Sequence, residues 1–112
     1  MGGKTVAVQV VRVPAGAYRV RVGLARGTVG ATAPLAVVAD AHRAEAAING
    51  CFFDAYTSEA IKAPYNHIVV DGQLIHTGNT GVTLGFDRRG HFRIEQVRIR
   101  VTGSLDDNWK WS

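Results

Sequence analysis

The chain is poor in the residues that staple or stiffen small proteins. Its single cysteine, Cys51, excludes an intramolecular disulfide, so a disulfide-framed scaffold is ruled out and the thiol reads first as a small buried hydrophobe. With 3 prolines in 112 residues, collagen-like and proline-rich disordered compositions are excluded. No apolar run approaches the roughly 20 residues of a membrane-spanning helix, so no membrane span is expected. Also lacking are a Walker-type glycine loop, a Gly-x-Ser-x-Gly elbow, a His-Glu-x-x-His pair and a paired-cysteine signature. Their absence removes the commonest sequence signs of nucleotide binding, serine hydrolysis and structural zinc.

Acidic residues are in the minority, 9 against 13 basic, for a formal net charge of +4 and a sequence pI near 9.7. That balance permits an anionic partner without choosing among phosphate, nucleic acid and acidic glycan. The composition is 46% hydrophobic and 20% charged, with 13 glycines, which fits one turn-rich globular domain or part of one.

Thr5 to Val13 reads as a strand, with Val6, Val8 and Val10 on one face and a phase slip at Val11 that suggests a bulge. Pro14-Ala15-Gly16 turns into a second alternation, Tyr18, Val20, Val22 and Leu24, completing an expected hairpin with Arg19 and Arg21 on its wet face. Thr32-Ala33-Pro34 has the chemistry of a helix start, and Leu35, Val38, Ala39 and His42 share one face of a helix expected to run to about Arg43. Ala46 to Ile48 reads as a buried strand ending in the Asn49-Gly50 turn, where α/β folds tend to hold ligands.

Residues 55–64 show no sustained period and are expected to form a rim or lid. Ile68-Val69-Val70 and Gln73-Leu74-Ile75 around Asp71-Gly72 carry the strongest hairpin signal, and Asp71 is a turn residue first. Val82, Leu84 and Phe86 form a further strand, returned by Asp87-Arg88-Arg89-Gly90 to Phe92 and Ile94. The opposite phase of Val97, Ile99 and Val101 implies a bulge or a junction near Glu95-Gln96. The fold class that follows is α+β: a mixed, largely antiparallel sheet with hairpins and one main helix packed on it.

The arginines of residues 88–100 alternate with apolar residues and lack an interleaved aromatic platform, so no nucleic-acid partner is expected. The histidines, at 42, 67, 76 and 91, are too scattered to specify a metal site, and no metal or other cofactor is expected. Asp87, Asp106 and Asp107, like Asp71, occupy turn-like settings, which leaves Asp54 as the carboxylate best placed for chemistry. Trp109 and Trp111 carry large apolar area near the last residue, and self-association or a partner chain is expected to cover them.

Ala-Ala-Ile-Asn-Gly-Cys-Phe-Phe-Asp-Ala-Tyr (46–56), Ala-Pro-Tyr (63–65), Ile-Val-Val-Asp-Gly-Gln-Leu-Ile-His (68–76), Gly-Asn-Thr-Gly-Val-Thr-Leu-Gly-Phe (78–86) and Arg-Ile-Arg-Val-Thr-Gly-Ser (98–104) occur in that order. Together they resemble the phosphodiester glycosidase family, which includes the enzyme that uncovers mannose 6-phosphate by removing N-acetylglucosamine from a phosphodiester. Bacterial members, often attached to cell-wall or copper-amine-oxidase-type modules, are the nearer likeness.

The resemblance implies hydrolysis of a sugar-1-phosphodiester in an extracytoplasmic or secreted setting. It implies Asn49 and Asp54 as catalytic residues, with Gly50, Phe52, Phe53, Tyr65, His67 and Asn79 contacting a sugar phosphodiester or anionic glycan. This chain has Asn66 and His67 where the family commonly carries glycine after the proline, and Cys51 at a position usually Gly or Thr. The family's later half, with an Asp-Gly-Gly-Gly-Ser-like motif, has no counterpart, so the resemblance implies the N-terminal portion of a domain that is inactive alone. The alternative reading is a non-catalytic module that binds an anionic cell-wall glycan or completes a partner chain.

Overall fold

The element order of the computed structural model is a 3-10 turn (Ala25–Gly27), α1 (Leu35–Ala41), β1 (Ile68–Val70), β2 (Gln73–His76), β3 (Gly81–Phe86), β4 (Phe92–Val97), β5 (Gly103–Leu105) and β6 (Trp109–Trp111). It describes residues 2–79, 81–105 and 109–111, and of Leu105, Trp109 and Trp111 the backbone alone. The turn-like settings expected at Asp106 and Asp107, and the side chains of both tryptophans, lie outside what is described. The class is α+β, as expected, but the sheet is three separate antiparallel pairs, β1–β2, β3–β4 and β5–β6. Among the described residues there is one α-helix, which lies against the 3-10 turn and packs on none of these pairs, a correction to the expected helix-on-sheet layer.

Local chemistry explains the elements that form. Asp71 and Gly72 both take positive φ, 49° and 80°, the conformation of a two-residue turn whose twist matches the strands on either side. The β1–β2 ladder pairs Val70 with Gln73 and Val69 with Leu74, then shifts by one residue to pair Ile68 with His76. In β3–β4 the register is regular from Phe86↔Phe92 to Gly81↔Val97, so the ladder runs through Glu95 and Gln96 without the bulge expected there, and β4 ends at Val97, before Ile99 and Val101. Helix α1 starts after Pro34, without the Thr32 side-chain cap expected. It ends in a Schellman arrangement: Arg43 sits at φ 52°, its N–H donates to Asp40 O, and Ala44 N–H donates to Ala39 O.

Two expected strand regions are corrected. Residues 4–13 and 18–22 form neither helix nor strand and make no ladder among the described residues, and Val8 and Val10 are 76% and 82% exposed. The turn between them supplies the reason. Ala17 N–H donates to Pro14 O across Gly16 at φ 78°, a type II geometry that splays the two legs instead of twisting them together. The Ala46–Ile48 run is likewise exposed and unpaired, with Ile48 86% exposed. Small residues beside a β-branched one suit a buried strand only where a neighbouring strand supplies hydrogen bonds, and none does so here.

Among the described residues no hydrophobic side chain is buried. The accessible surface is 10542 Å² for a 12.0 kDa chain, against about 6,000 Å² for a compact domain of that mass. The radius of gyration is 17.8 Å, against about 13 Å when compact.

Candidate functional site

Tertiary order is concentrated between Phe52 and Gly81, and backbone hydrogen bonds create it. Residues 52–54 run antiparallel to 63–65 through an isolated bridge at Phe53↔Pro64. Tyr65 N–H donates to Phe52 O at 2.9 Å, and Asp54 N–H donates to Ala63 O at 3.0 Å. On the far side Asn79 N–H donates to Tyr65 O at 2.7 Å. Three short stretches far apart in sequence thus lie side by side, held by main-chain groups that their extended conformations leave free.

The β1–β2 hairpin closes this arrangement from below. His76 Nε2 lies 2.8 Å from Pro64 O, and Gly78 N–H donates to His67 Nδ1 at 3.1 Å. Gly78 is required by contact rather than by backbone conformation. A Cβ there would collide with Tyr65 O and would lie 2.6 Å and 2.7 Å from Asn66 C and O. Gly81 is similarly close to Asn66, whose Nδ2 would stand 2.9 Å from a Cβ.

Of the expected rim, residues 55–64, the part from 55 to 62 is a folded loop, whereas Ala63 and Pro64 pair with Phe53 and Asp54. Thr57 Oγ1 accepts from Glu59 N–H, Thr57 O accepts from Lys62 Nζ, and Lys62 N–H donates to Gly30 O at 2.9 Å. Gly30 is buried against Ile61, so this loop ties the site to the segment that precedes α1.

Six of the eight residues expected at the site, Phe52, Phe53, Asp54, Tyr65, His67 and Asn79, belong to this cluster. Asn49 and Gly50 precede it in an exposed irregular segment without hydrogen bonds among the described residues. The Asp54 side chain is half-buried and makes no hydrogen bond or ion pair among the described residues, so its acceptor capacity is free. Because Gly78 donates to Nδ1 of His67, the neutral imidazole carries its proton on Nε2. That Nε2 is shielded from solvent and has no partner among the described residues. An unmet buried donor costs about 1–3 kcal/mol, a cost that a ligand acceptor or a small rearrangement would relieve.

Phe52 is 82% exposed, Tyr56 fully exposed, and Phe53 and Tyr65 close to half exposed, and the bridge register sets Phe52 and Tyr65 on the same face as Asp54. Burial pushes the Cys51 thiol above its ordinary range, which disfavours the thiolate and a nucleophilic role. Among the described residues no group of three His, Cys, Asp or Glu side chains could hold a metal ion, and no helix is long and apolar enough to cross a membrane.

Gly78, Pro64, Asn66 and His76 are site-building residues not singled out as site residues from the sequence. The hairpin held the signal for one of them: counting outward from Asp71-Gly72 sets His76 opposite His67, and only the observed one-residue shift at Ile68 brings His67 beside residues 77–78. Two concavities elsewhere, about 280 Å³ on the polar face of β3–β4 and about 660 Å³ between the 3-10 turn and α1, are lined by none of the expected site residues. Compared with protein-family models, curated proteins and solved structures, the chain matches none.

Proposed function

We propose that residues 49–79 form the glycosyl-binding wall of a hydrolase acting on sugar-1-phosphodiesters. The observation that carries this reading is the free, half-buried Asp54 carboxylate, hydrogen-bonded through its own backbone into the cluster that holds Tyr65, His67 and Asn79. In the reaction the bond between C1 of the sugar and the phosphate oxygen breaks. Water supplies the new hydroxyl at C1, its proton passes to a base, and a phosphomonoester leaves. Positive charge develops at C1, so a carboxylate without a protein counter-ion stabilises that charge or takes the proton from water. Asn49 offers an amide donor for the phosphoryl oxygens, and Asn79 lines the rim.

The test is release of phosphomonoester from an N-acetylglucosamine-1-phosphodiester, by this chain alone and joined to any sequence its gene encodes after Ser112. Asp54→Asn is expected to lower kcat by about 10²-fold or more, with the Tyr65 and Asn79 amides still protected. Equal turnover by the variant refutes the assignment.

A second reading has its own support. Glycoside hydrolysis generally uses two carboxylates, and Asp54 is the one carboxylate in the cluster among the described residues. With Phe52, Tyr56 and Tyr65 exposed beside it, the same surface suits binding of an anionic glycan without turnover. Affinity for a teichoic-acid-like phosphoglycan, with no phosphomonoester released by either form of the protein, selects that reading.

A further inference from the structure

We infer that residues 4–22 are a strap that closes over the apolar face of the β3–β4 hairpin of the same chain. The strap consists of two irregular legs joined at the Pro14–Ala17 turn, is unpaired among the described residues, and carries two apolar rows, Val6-Val8-Val10 and Tyr18-Val20-Val22, all about half exposed or more. Its anchor is visible. Gly23 packs so closely on α1 that a Cβ would lie 2.9 Å from His42 Cδ2 and 3.4 Å from Val38 Cγ1. The 3-10 turn follows directly, with Arg26 at φ 53° and Gly27 at φ 66°. The arm is therefore fixed at its C-terminal end and free upstream.

The receiving face is equally specific. The register sets Val82, Leu84 and Phe86 with Ile94 and Phe92 on one side of β3–β4, all exposed, while Thr83, Arg93 and Glu95 occupy the other. Arg93 and Glu95 pair at 3.6 Å, which marks that second side as the wet one. β1–β2 is a weaker candidate because Ile68, Val70 and His76 are already half-buried by the site cluster. Lengths are sufficient: at 3.4 Å per residue β3 is about 20 Å long, the leg at 18–22 about 17 Å and the leg at 4–13 about 34 Å, so either leg can cover most of the strand. Fully extended, residues 4–22 reach about 60 Å, comparable to the longest dimension, 59 Å, so the hairpin is within range.

Two apolar faces joined by one chain meet at millimolar effective concentration, whereas a second copy, itself carrying +4, must be recruited from solution against like charge. That difference favours the chain's own strap. Small-angle scattering and paramagnetic relaxation on the full chain test this. The expected radius of gyration is near 13 Å and unchanged on tenfold dilution. A nitroxide on Ala7→Cys, in a Cys51→Ser background, should broaden the Leu84 and Ile94 methyl signals of its own chain. Labelled chains mixed with isotope-enriched unlabelled ones should cause no broadening.

Val8→Asp with Val20→Asp is expected to return the radius to about 18 Å while cross-strand contacts within β3–β4 persist. A wild-type radius that stays near 17.8 Å, or broadening that crosses between chains with a dimeric mass, overturns the inference.

Discussion

Replacing Gly78 by alanine tests the site directly, because the reason for glycine there is separable from backbone preference. Gly78 does not adopt a positive φ, so alanine meets no intrinsic strain. Its methyl group, however, would enter space held by Tyr65 O and by the carbonyl group of Asn66, and backbone atoms cannot turn aside as a flexible side chain could. The loop at 77–79 must withdraw from 65–67. Two hydrogen bonds lie on that boundary, Asn79 N–H to Tyr65 O at 2.7 Å and Gly78 N–H to His67 Nδ1 at 3.1 Å.

Overpacking costs about 1–3 kcal/mol and each lost bond about 1 kcal/mol, so a local loss of about 3 kcal/mol is expected. At 1.4 kcal/mol per decade that corresponds to about 100-fold faster amide exchange at Asn79. The assay is hydrogen exchange read by NMR, with the imidazole nitrogen shifts of His67 reporting whether the Nε2–H tautomer survives. Gly85→Ala is the control, since a Cβ there meets nothing within 4 Å and φ is ordinary. Unchanged Asn79 exchange and an unchanged His67 tautomer in Gly78→Ala would refute the claim that this contact holds the site together.

Gly72→Ala forces a Cβ into φ 80° and should cost about 1 kcal/mol, read as faster exchange across the β1–β2 ladder. His67→Asn keeps an acceptor for Gly78 N–H but removes the unpartnered Nε2–H; Gly78 exchange should stay within about threefold. A large increase would show that the ring itself supports the loop. At the β3–β4 turn, desolvation pushes the Asp87 carboxyl up, but hydrogen bonds from the His91 side chain and from the His91 and Arg89 N–H groups, with the His91 charge, outweigh it. The carboxyl is held below its ordinary range. The turn's support from Asp87 is therefore complete above about pH 4 and lost as pH falls through the lowered value. Cross-strand contacts at Phe86–Phe92 should weaken over that acid range in the native chain, and be pH-independent there in Asp87→Asn.

Legibility followed the distance between interacting residues. Asp71-Gly72 and the Asp87–Gly90 turn specify their hairpins because the residues that demand special φ angles are also the ones that join the strands. The helix at Leu35–Ala41 was readable from its apolar spacing. Pro14-Ala15-Gly16 also reads as a hairpin turn, yet Gly16 falls at the third turn position with φ 78°, and that geometry spreads the legs. Alternation at Val6–Val10 reports which side chains share a face; it does not report whether another strand is available to pair.

The sequence alone determined the α+β class, both central hairpins and the grouping of Asp54 with an aromatic pair, because each rests on residues adjacent in the chain. Only the tertiary structure decided that 52–54 lies against 63–65, that Asn79 hangs from Tyr65, and that His67 has its tautomer set by Gly78. Apart from the His67 ring nitrogen, those contacts are made by backbone N–H and C=O groups, which every residue but proline carries in full. Composition and spacing therefore leave no trace of them, apart from glycines too crowded to be anything else.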